Sequence, residues 1–538
     1  MTTFTYDAVV YGAEPWGIAY ACELAKLGRN VAIISDTRHV GGIYAGGLQA
    51  TDIGSPSQRI KGSYLFWYRL CGFVMGLQSN RNPPPRGAEA AFLRLLGDAG
   101  VTIHTNEKLA SVQKSGSAGV TDSITSLTMM SGNVFQASEC FDGHICMDLL
   151  QAVYPSGRGT FWNIGRESMA AFGEPTAGFG HDPKATYQSP YQSPGVLFNG
   201  CSPNPGLAVG AADDGVQASA FRTIYSTHPS RRRWDEATVE GVSILDGYNA
   251  EDHIFHSYFF NRADDFDGAL IGAGMVQRND NILITDGAGR PRHWDYPLFN
   301  AANPAATYAA RQTYYNDAKR FQMRQNYFFA TDPRWAGKMQ DDMQRFGYPT
   351  TEFRGSDFFA WSFYVREAVR PYSDYTMRQQ DLQDTTGPYN VHKADAGAIG
   401  GYDFDTHRTM CYPLTASSFA REGGTDGMDT YRGGYGIPFN SMFNSAGCPN
   451  LTTVPGCTHR AWSSIRIILN LWAAAAAAAF LAHGRLNGIA YAAQNVTALR
   501  AAVHARGYLI DPLDPEDAEG DPEDASEEDD GEEGSGEG

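Results

Sequence analysis

The stretch from Tyr6 to Asp36 constrains this chain more than any other, because it reads as a strand, a glycine turn, a helix and a second strand ending in an acid. Ala8, Val9, Val10 and Tyr11 form an apolar run suited to a buried strand, which leads directly into Gly12-Ala13-Glu14-Pro15-Trp16-Gly17. Apolar residues at Ile18, Ala21, Leu24, Ala25 and Leu27 recur at helical spacing and stop at Gly28. Pro15 suits the first helical turn, where a missing amide hydrogen costs nothing. Val31 to Ile34 supply the second strand, and Asp36 follows Gly17 at about the 20-residue spacing of an acid that hydrogen-bonds a ribose hydroxyl. Such a unit captures an anion, since free amides and the helix dipole hold a pyrophosphate at the turn. Glu14 stands where the usual fingerprint has its second glycine. A carboxylate about 5 Å from a phosphate, at an effective dielectric near 20, is repelled by on the order of 3 kcal/mol, so Glu14 is expected to point away.

Directly after Asp36 comes a second glycine-rich loop, Thr37-Arg38-His39-Val40-Gly41-Gly42-Ile43-Tyr44-Ala45-Gly46-Gly47-Leu48, running on to Thr51 and Asp52. Nicotinamide-binding dehydrogenases do not need such a loop; flavoproteins use it to wrap a larger cofactor. With its acid, Thr-Arg-His and paired glycines, the segment resembles the FAD-dependent oxidoreductases often described as xanthan lyase-like. The resemblance continues in order through Gly165-Arg166-Glu167-Ser168, Val216-Gln217-Ala218 with Phe221-Arg222, Trp294-Asp295-Tyr296-Pro297 and Tyr364-Val365-Arg366-Glu367-Ala368. It extends through Asp374-Tyr375, Asp405-Thr406-His407 and Ile437-Pro438-Phe439 to Thr458-His459 and Ser464-Ile465-Arg466. Each tripeptide is weak, and their shared order is strong.

That resemblance implies an α/β fold: a Rossmann-like, glutathione-reductase-type FAD-binding domain with an interleaved α+β substrate domain. The boundaries it suggests are 1–180 for the first part of the FAD domain, 181–430 for the substrate domain, 431–510 for the returning FAD segment and 511–538 for a disordered acidic tail. It implies FAD as cofactor, held by Gly12, Ala13, Glu14, Trp16, Gly17, Asp36, Thr37, Arg38, Gly41, Gly42, Gly47, Leu109, Asp142, Thr458 and Ser464. Catalysis would fall to His407 as base with Asp405, to His459 near the pyrimidine edge, and to Arg366. The expected reaction removes a hydride from a C–H adjacent to a hydroxyl or amine of a small or sugar-like substrate. The alternative is a catalytically weakened scaffold or assembly protein that keeps the fold. Departures from the family, namely Glu14, Val369 and the alanines after Arg466, cluster at the cofactor and substrate sites.

Further elements are read from pattern. Gly87 to Leu96 reads as a helix, and Val101 to His104, Leu109 to Gln113, Ile124 to Met130 and Val134 to Phe141 read as strands. Asp332 and Pro333 cap a helix over Arg334 to Phe346, Arg366 and Arg370 share the side of another, and Ser463 to His483 form a third, with a last near Thr497 to Arg506. His253 and His256 sit in an apparent strand, facing opposite sides, so no metal site is expected. Trp294 and Tyr296 are candidates for stacking on a sugar or ring.

Composition agrees with a large enzyme. The formal charge is −18, but 15 acids and no bases fall in the last 28 residues, leaving −3 for the rest. That tail buries too little apolar area to offset its ordering entropy and is expected to be disordered and solubilising. No basic, apolar leader precedes the first strand, and the alanine-rich run near Ile467 to Ala482 is short of the ~20 residues of a membrane span. A cytoplasmic protein is therefore expected, with a small-molecule substrate, neither nucleic acid nor membrane as partner, and reduced cysteines.

Overall fold

The computed structural model describes residues 1–50, 82–116, 119–181, 183–257, 269–271, 275–278, 284–286, 288–295, 298–387, 389–424, 430–431, 434–508 and 510. Thr51, Asp52, Tyr296, Pro297, the side chain of Trp294 and the acidic tail lie outside these residues. The sequence-stretch read as a nucleotide unit forms β1 (Thr3–Tyr11), α1 (Pro15–Lys26) and β2 (Val31–Ile34). A five-residue helix α2 (Gly42–Gly46) follows, then α3 (Pro85–Ala99). Next come β3 (Thr102–His104), β4 (Leu109–Lys114), β5 (Ile124–Met129) and β6 (Val134–Asp142). Much later, β7 (Leu451–Thr453) returns to the same sheet.

The sheet runs β3-β2-β1-β6, all parallel, and β6 shares its far edge between two partners. Its first residues pair with the antiparallel β5–β4 ribbon, and its last three pair in parallel with β7. A mixed α/β architecture with a parallel sheet results. The last four residues of β1 and all of β2 are buried, as a sheet covered on both faces requires.

One covering layer comes from the far end of the chain. The single helix read over Ser463 to His483 is two, α6 (His459–Ile465) and α7 (Ile468–Leu486), bent by 93° at their junction. Ile467 adopts an extended conformation there, and Asn470, which had looked like an interruption, bridges the break. Its amide donates to the Ser464 carbonyl at 3.0 Å, and its carbonyl accepts the Gly401 N–H at 3.1 Å. The alanine run is then explained by packing. Ala473 to Ala479 are all at most 1% exposed, and α7 lies along α1, so methyl-sized side chains let the two helices approach closely. No helix among the described residues is by itself long and apolar enough to cross a membrane.

The middle of the chain builds a second hydrophobic core around α5 (Pro304–Thr331), where Tyr314, Phe321, Phe328 and Phe329 meet Phe221, Trp234, Trp335, Phe359 and Phe363. Small antiparallel sheets surround it, pairing 223–226 with 275–278, and 418–422 with both 410–415 and 184–186. Three local readings need correction here. The helix expected from Arg334 begins as a single 3-10 turn, Pro333–Trp335, and resumes at Lys338–Arg345, because Gly337 takes a φ of 135° between them. Arg366 and Arg370 share no helix: Phe363–Tyr364 and Arg370–Pro371 are strands joined by irregular backbone. His253 and His256 lie in helical turns, not a strand, and both pack on Phe321 with ring centroids 4.8 and 4.6 Å away.

Because Ala476 is fully buried in α7, Ala476→Leu is expected to destabilise the protein by about 1–3 kcal/mol through overpacking. A denaturant midpoint unchanged from wild type would show that the position has room.

Candidate active site

At the β1–α1 turn, Gly12 takes a φ of 107°, and a methyl group there would overlap the backbone of Gly143 and His144. The turn is thus pressed against the loop that leaves β6. Gly17 carries no side chain because one would meet the Gly12 carbonyl. Trp16 is buried, its indole N–H without a partner among the described residues. The Ala13 carbonyl accepts the Gly41 N–H at 2.9 Å, tying the first glycine turn to the second.

Glu14 turns inward, onto the second glycine turn. It is 7% exposed, and its Oε2 accepts the Ile43 N–H at 2.9 Å, so the carboxylate lies over Gly42, where any side chain would collide with it. Within the protein itself the free amide at the start of α2 attracts the nearest carboxylate. Burial pushes the Glu14 carboxyl up to about 7, partly offset by the Ile43 amide and His144.

The acid ending β2 is engaged as well. His144 Nε2 lies 3.5 Å from Asp36 Oδ2, and its Nδ1 lies 3.5 Å from Asp148 Oδ2 at the start of α4 (Asp148–Val153). Burial alone would lower the histidine's pKa, but Asp148 and Asp36 outweigh it and raise the value well above normal. Arg311, on α5, closes the chain with a bidentate pair to Asp148 at 2.6 and 2.7 Å. One turn earlier, Tyr308 meets Tyr11 hydroxyl to hydroxyl at 3.0 Å, and Tyr11 also accepts the Leu109 N–H at 3.0 Å. Asp142 accepts the amides of His144 and Leu150 at 3.1 and 2.7 Å, and burial lifts its carboxyl to about 7.

The remaining nucleotide candidates serve the loop itself. Thr37 accepts the His39 N–H at 3.2 Å, Arg38 donates to His39 Nε2 at 3.0 Å, and Gly47 sits against the Arg222 carbonyl.

A second polar cluster lies where α6 begins. Thr458 caps the helix by accepting the Ala461 N–H, and its hydroxyl donates to Glu174 at 2.6 Å. The His459 N–H donates to Glu167 at 2.8 Å, and its Nδ1 lies 2.8 Å from Glu367. Arg370 pairs with both glutamates, at 2.6 Å to Glu167. His459 therefore sits in an internal ion network rather than presenting a free helix end, with Nε2 unpartnered among the described residues. Ser464 spends its hydroxyl on the Tyr402 carbonyl at 2.6 Å.

The third cluster holds the other catalytic candidates. Asp405 Oδ2 lies 3.1 Å from His407 Nε2 and 2.5 Å from Arg466. Arg366, 1% exposed, gives one N–H to the Ala218 carbonyl, while its Nε and Nη2 have no partner among the described residues. Arg222, Arg366 and Arg466 surround the Tyr364 ring at 4.9, 5.0 and 5.9 Å. Burial, then Arg222, pushes the Arg366 pKa well down, which expresses how strongly this site favours an anion. Arg366 and Arg370 consequently diverge, one to this cluster and the other to the glutamates. Sequence reasoning missed Tyr11, His144, Asp148, Tyr308, Arg311, Glu167 and Glu174 as site-forming groups; their partners lie up to 297 residues away, beyond any local pattern.

A family model described as FAD dependent oxidoreductase matches residues 7–502. No curated protein matches the chain. Among solved structures, an amino acid oxidase, NikD, essential for nikkomycin biosynthesis aligns at 15% identity over 26% of this chain with a TM-score of 0.19. A flavin-containing monooxygenase from Stenotrophomonas maltophilia aligns at 15% over 27% with 0.20, and L-proline dehydrogenase from P. horikoshii at 16% over 26% with 0.17. The chain covers 51%, 38% and 22% of these proteins, under two thirds of each.

Arg370→Met is expected to cost about 3–5 kcal/mol, because it strands two buried carboxylates. Despite burial, Arg370 and hydrogen bonds lower Glu167 to about 2, so its contribution is full above about 4.5 and is lost as pH falls toward 2. Glu167→Gln should flatten that acid limb of the stability curve; an unaltered limb would remove Glu167 from it.

Proposed function

The chain belongs to the FAD-dependent oxidoreductase family, and from that premise we propose that it removes a hydride from a C–H adjacent to a hydroxyl or amine of a small or sugar-like substrate. The family's cofactor is FAD. The donor set fits that group: the Ile43 amide already donates to a carboxylate, the Leu109 amide donates to a hydroxyl, and Asp36 stands at the end of β2 for a ribose. FAD supplies the two-electron acceptor; the protein must supply orientation, proton transfer and exclusion of water.

His407 is the proton acceptor in this reading. Burial and then Arg366 lower its pKa to about 3, so the imidazole is neutral at physiological pH. Although partly desolvated, Asp405 is held ionised by His407 and Arg466, and an ionised carboxylate can only accept. The Nε2 proton therefore points to Asp405, leaving the Nδ1 lone pair as the base. It takes the proton of the substrate hydroxyl or amine as the carbon gives up its hydride, leaving a carbonyl or imine. Arg366, whose Nε and Nη2 have no partner among the described residues, holds an anionic or hydroxyl group of the substrate. Residues 181–430 form the substrate region in this scheme, with 1–180 and 431–510 as the flavin region. The carrying observation is the family match across nearly the whole chain, joined to the neutral, oriented His407.

One observation favours a second reading, a scaffold keeping the fold with an inert site: the groups that would hold a nucleotide already hold Glu14, Tyr11 and His144. An absorption spectrum of the purified protein, followed by anaerobic bleaching with sugars, alcohols and amines, separates the two. His407→Ala is expected to slow flavin reduction by about 10²–10⁴-fold while bound flavin stays at wild-type content. Unchanged reduction would strike His407 from the role of base.

A further inference from the structure

The two glycine turns meet around a single carboxylate. Glu14 occupies the position at which the dinucleotide fingerprint normally has no side chain, and its Oε2 takes the Ile43 N–H at 2.9 Å above the bare α-carbon of Gly42. Gly42 has a φ of 48°, and it is backbone of this kind, free of Cβ and opening into amides, that receives a phosphate. The Glu14 backbone already begins α1, its carbonyl accepting the Ile18 N–H, so only the side chain is free to leave. We propose that Glu14 is an internal stand-in for the diphosphate of the cofactor: its carboxylate fills the anion seat in the nucleotide-free chain, and the dinucleotide enters by neutralising it, so that loading takes up a proton. The inference rests on the FAD reading above but not on any catalytic role of His407.

The charges facing Glu14 set the direction of the effect. Ile43 contributes its amide from the second turn, Asp36 repels from the end of β2, and His144 attracts from the loop after β6. An ionised Glu14 beside a diphosphate adds a fourth negative charge to those of Asp36 and the two phosphates, whereas a protonated one becomes a donor to a phosphate oxygen. The diphosphate itself does not titrate near neutrality. With Glu14 near 7, the protonated, competent fraction falls steeply above neutral pH. The apparent Kd for FAD is therefore expected to rise by about 30-fold between pH 6 and pH 8.5.

The test titrates the full-length chain, dialysed free of nucleotide, with FAD at both pH values, following flavin fluorescence. Wild type should show the 30-fold rise, and Glu14→Gln should be flat within about twofold and tighter than wild type at pH 8.5. Glu14→Gly should behave like Glu14→Gln, which guards against a folding defect peculiar to either variant. In weak buffer at pH 7.5, FAD binding to wild type should take up roughly 0.8 proton, and to Glu14→Gln close to none. The same pH dependence in wild type and both variants, or weaker binding by Glu14→Gln at pH 8.5, would overturn the proposal alone. Absence of FAD binding by all three proteins at both pH values would overturn the flavin reading, and this proposal with it.

Discussion

The contact on which the rest of this site depends is the press of Gly12 against the backbone of Gly143 and His144. It brings the ends of β1 and β6 together more tightly than any side chain would allow. His144 is thereby delivered between Asp36 and Asp148, and Asp148 in turn receives Arg311 from α5. A backbone contact between neighbouring strands thus fixes where a helix from the middle of the chain must lie. Without it, Asp36 and the buried Asp148 would lose their shared cation.

Charge satisfaction is the second theme. The interior carries many ionised groups, and the carboxylates among them find internal cations or amides: Glu167 and Glu367 with Arg370, Asp148 with Arg311, Asp405 with Arg466. Arg366 departs from that pattern, spending one nitrogen on a carbonyl and leaving two without a partner among the described residues. In a low-dielectric interior such a cation is costly unless something anionic arrives, which is why the proposed reaction assigns it to the substrate.

Local elements were legible in the sequence wherever periodicity and turn chemistry agreed. The β1–α1–β2 unit, α3 and the strands at 102–142 follow from apolar spacing and from glycine or proline at their ends. Misreadings arose where tertiary contacts overrode pattern. Arg366 and Arg370 have helical spacing, yet Arg366 lies on irregular backbone and Arg370 opens a short strand, each turned toward a different set of partners. His253 and His256 looked alternate, but aromatic packing on Phe321 suits a helical turn. Glu14 was recognised as anomalous from its place in the fingerprint, although its orientation was not, since that depends on an amide 29 residues away. The seven alanines looked like lost function near a cofactor and prove to be a helix contact surface.

The long helix α5 has a further consequence. Tyr308 and Arg311 fasten one end beside the sheet, while Phe328 and Phe329, about 30 Å along the same rod, are seated in the other core. A continuous helix has little give along its axis, so the two cores are mechanically in series. Any sideways shift demanded at the tyrosine pair must be absorbed by repacking the distant phenylalanines, which makes this beam the natural route by which an event at one core is felt in the other.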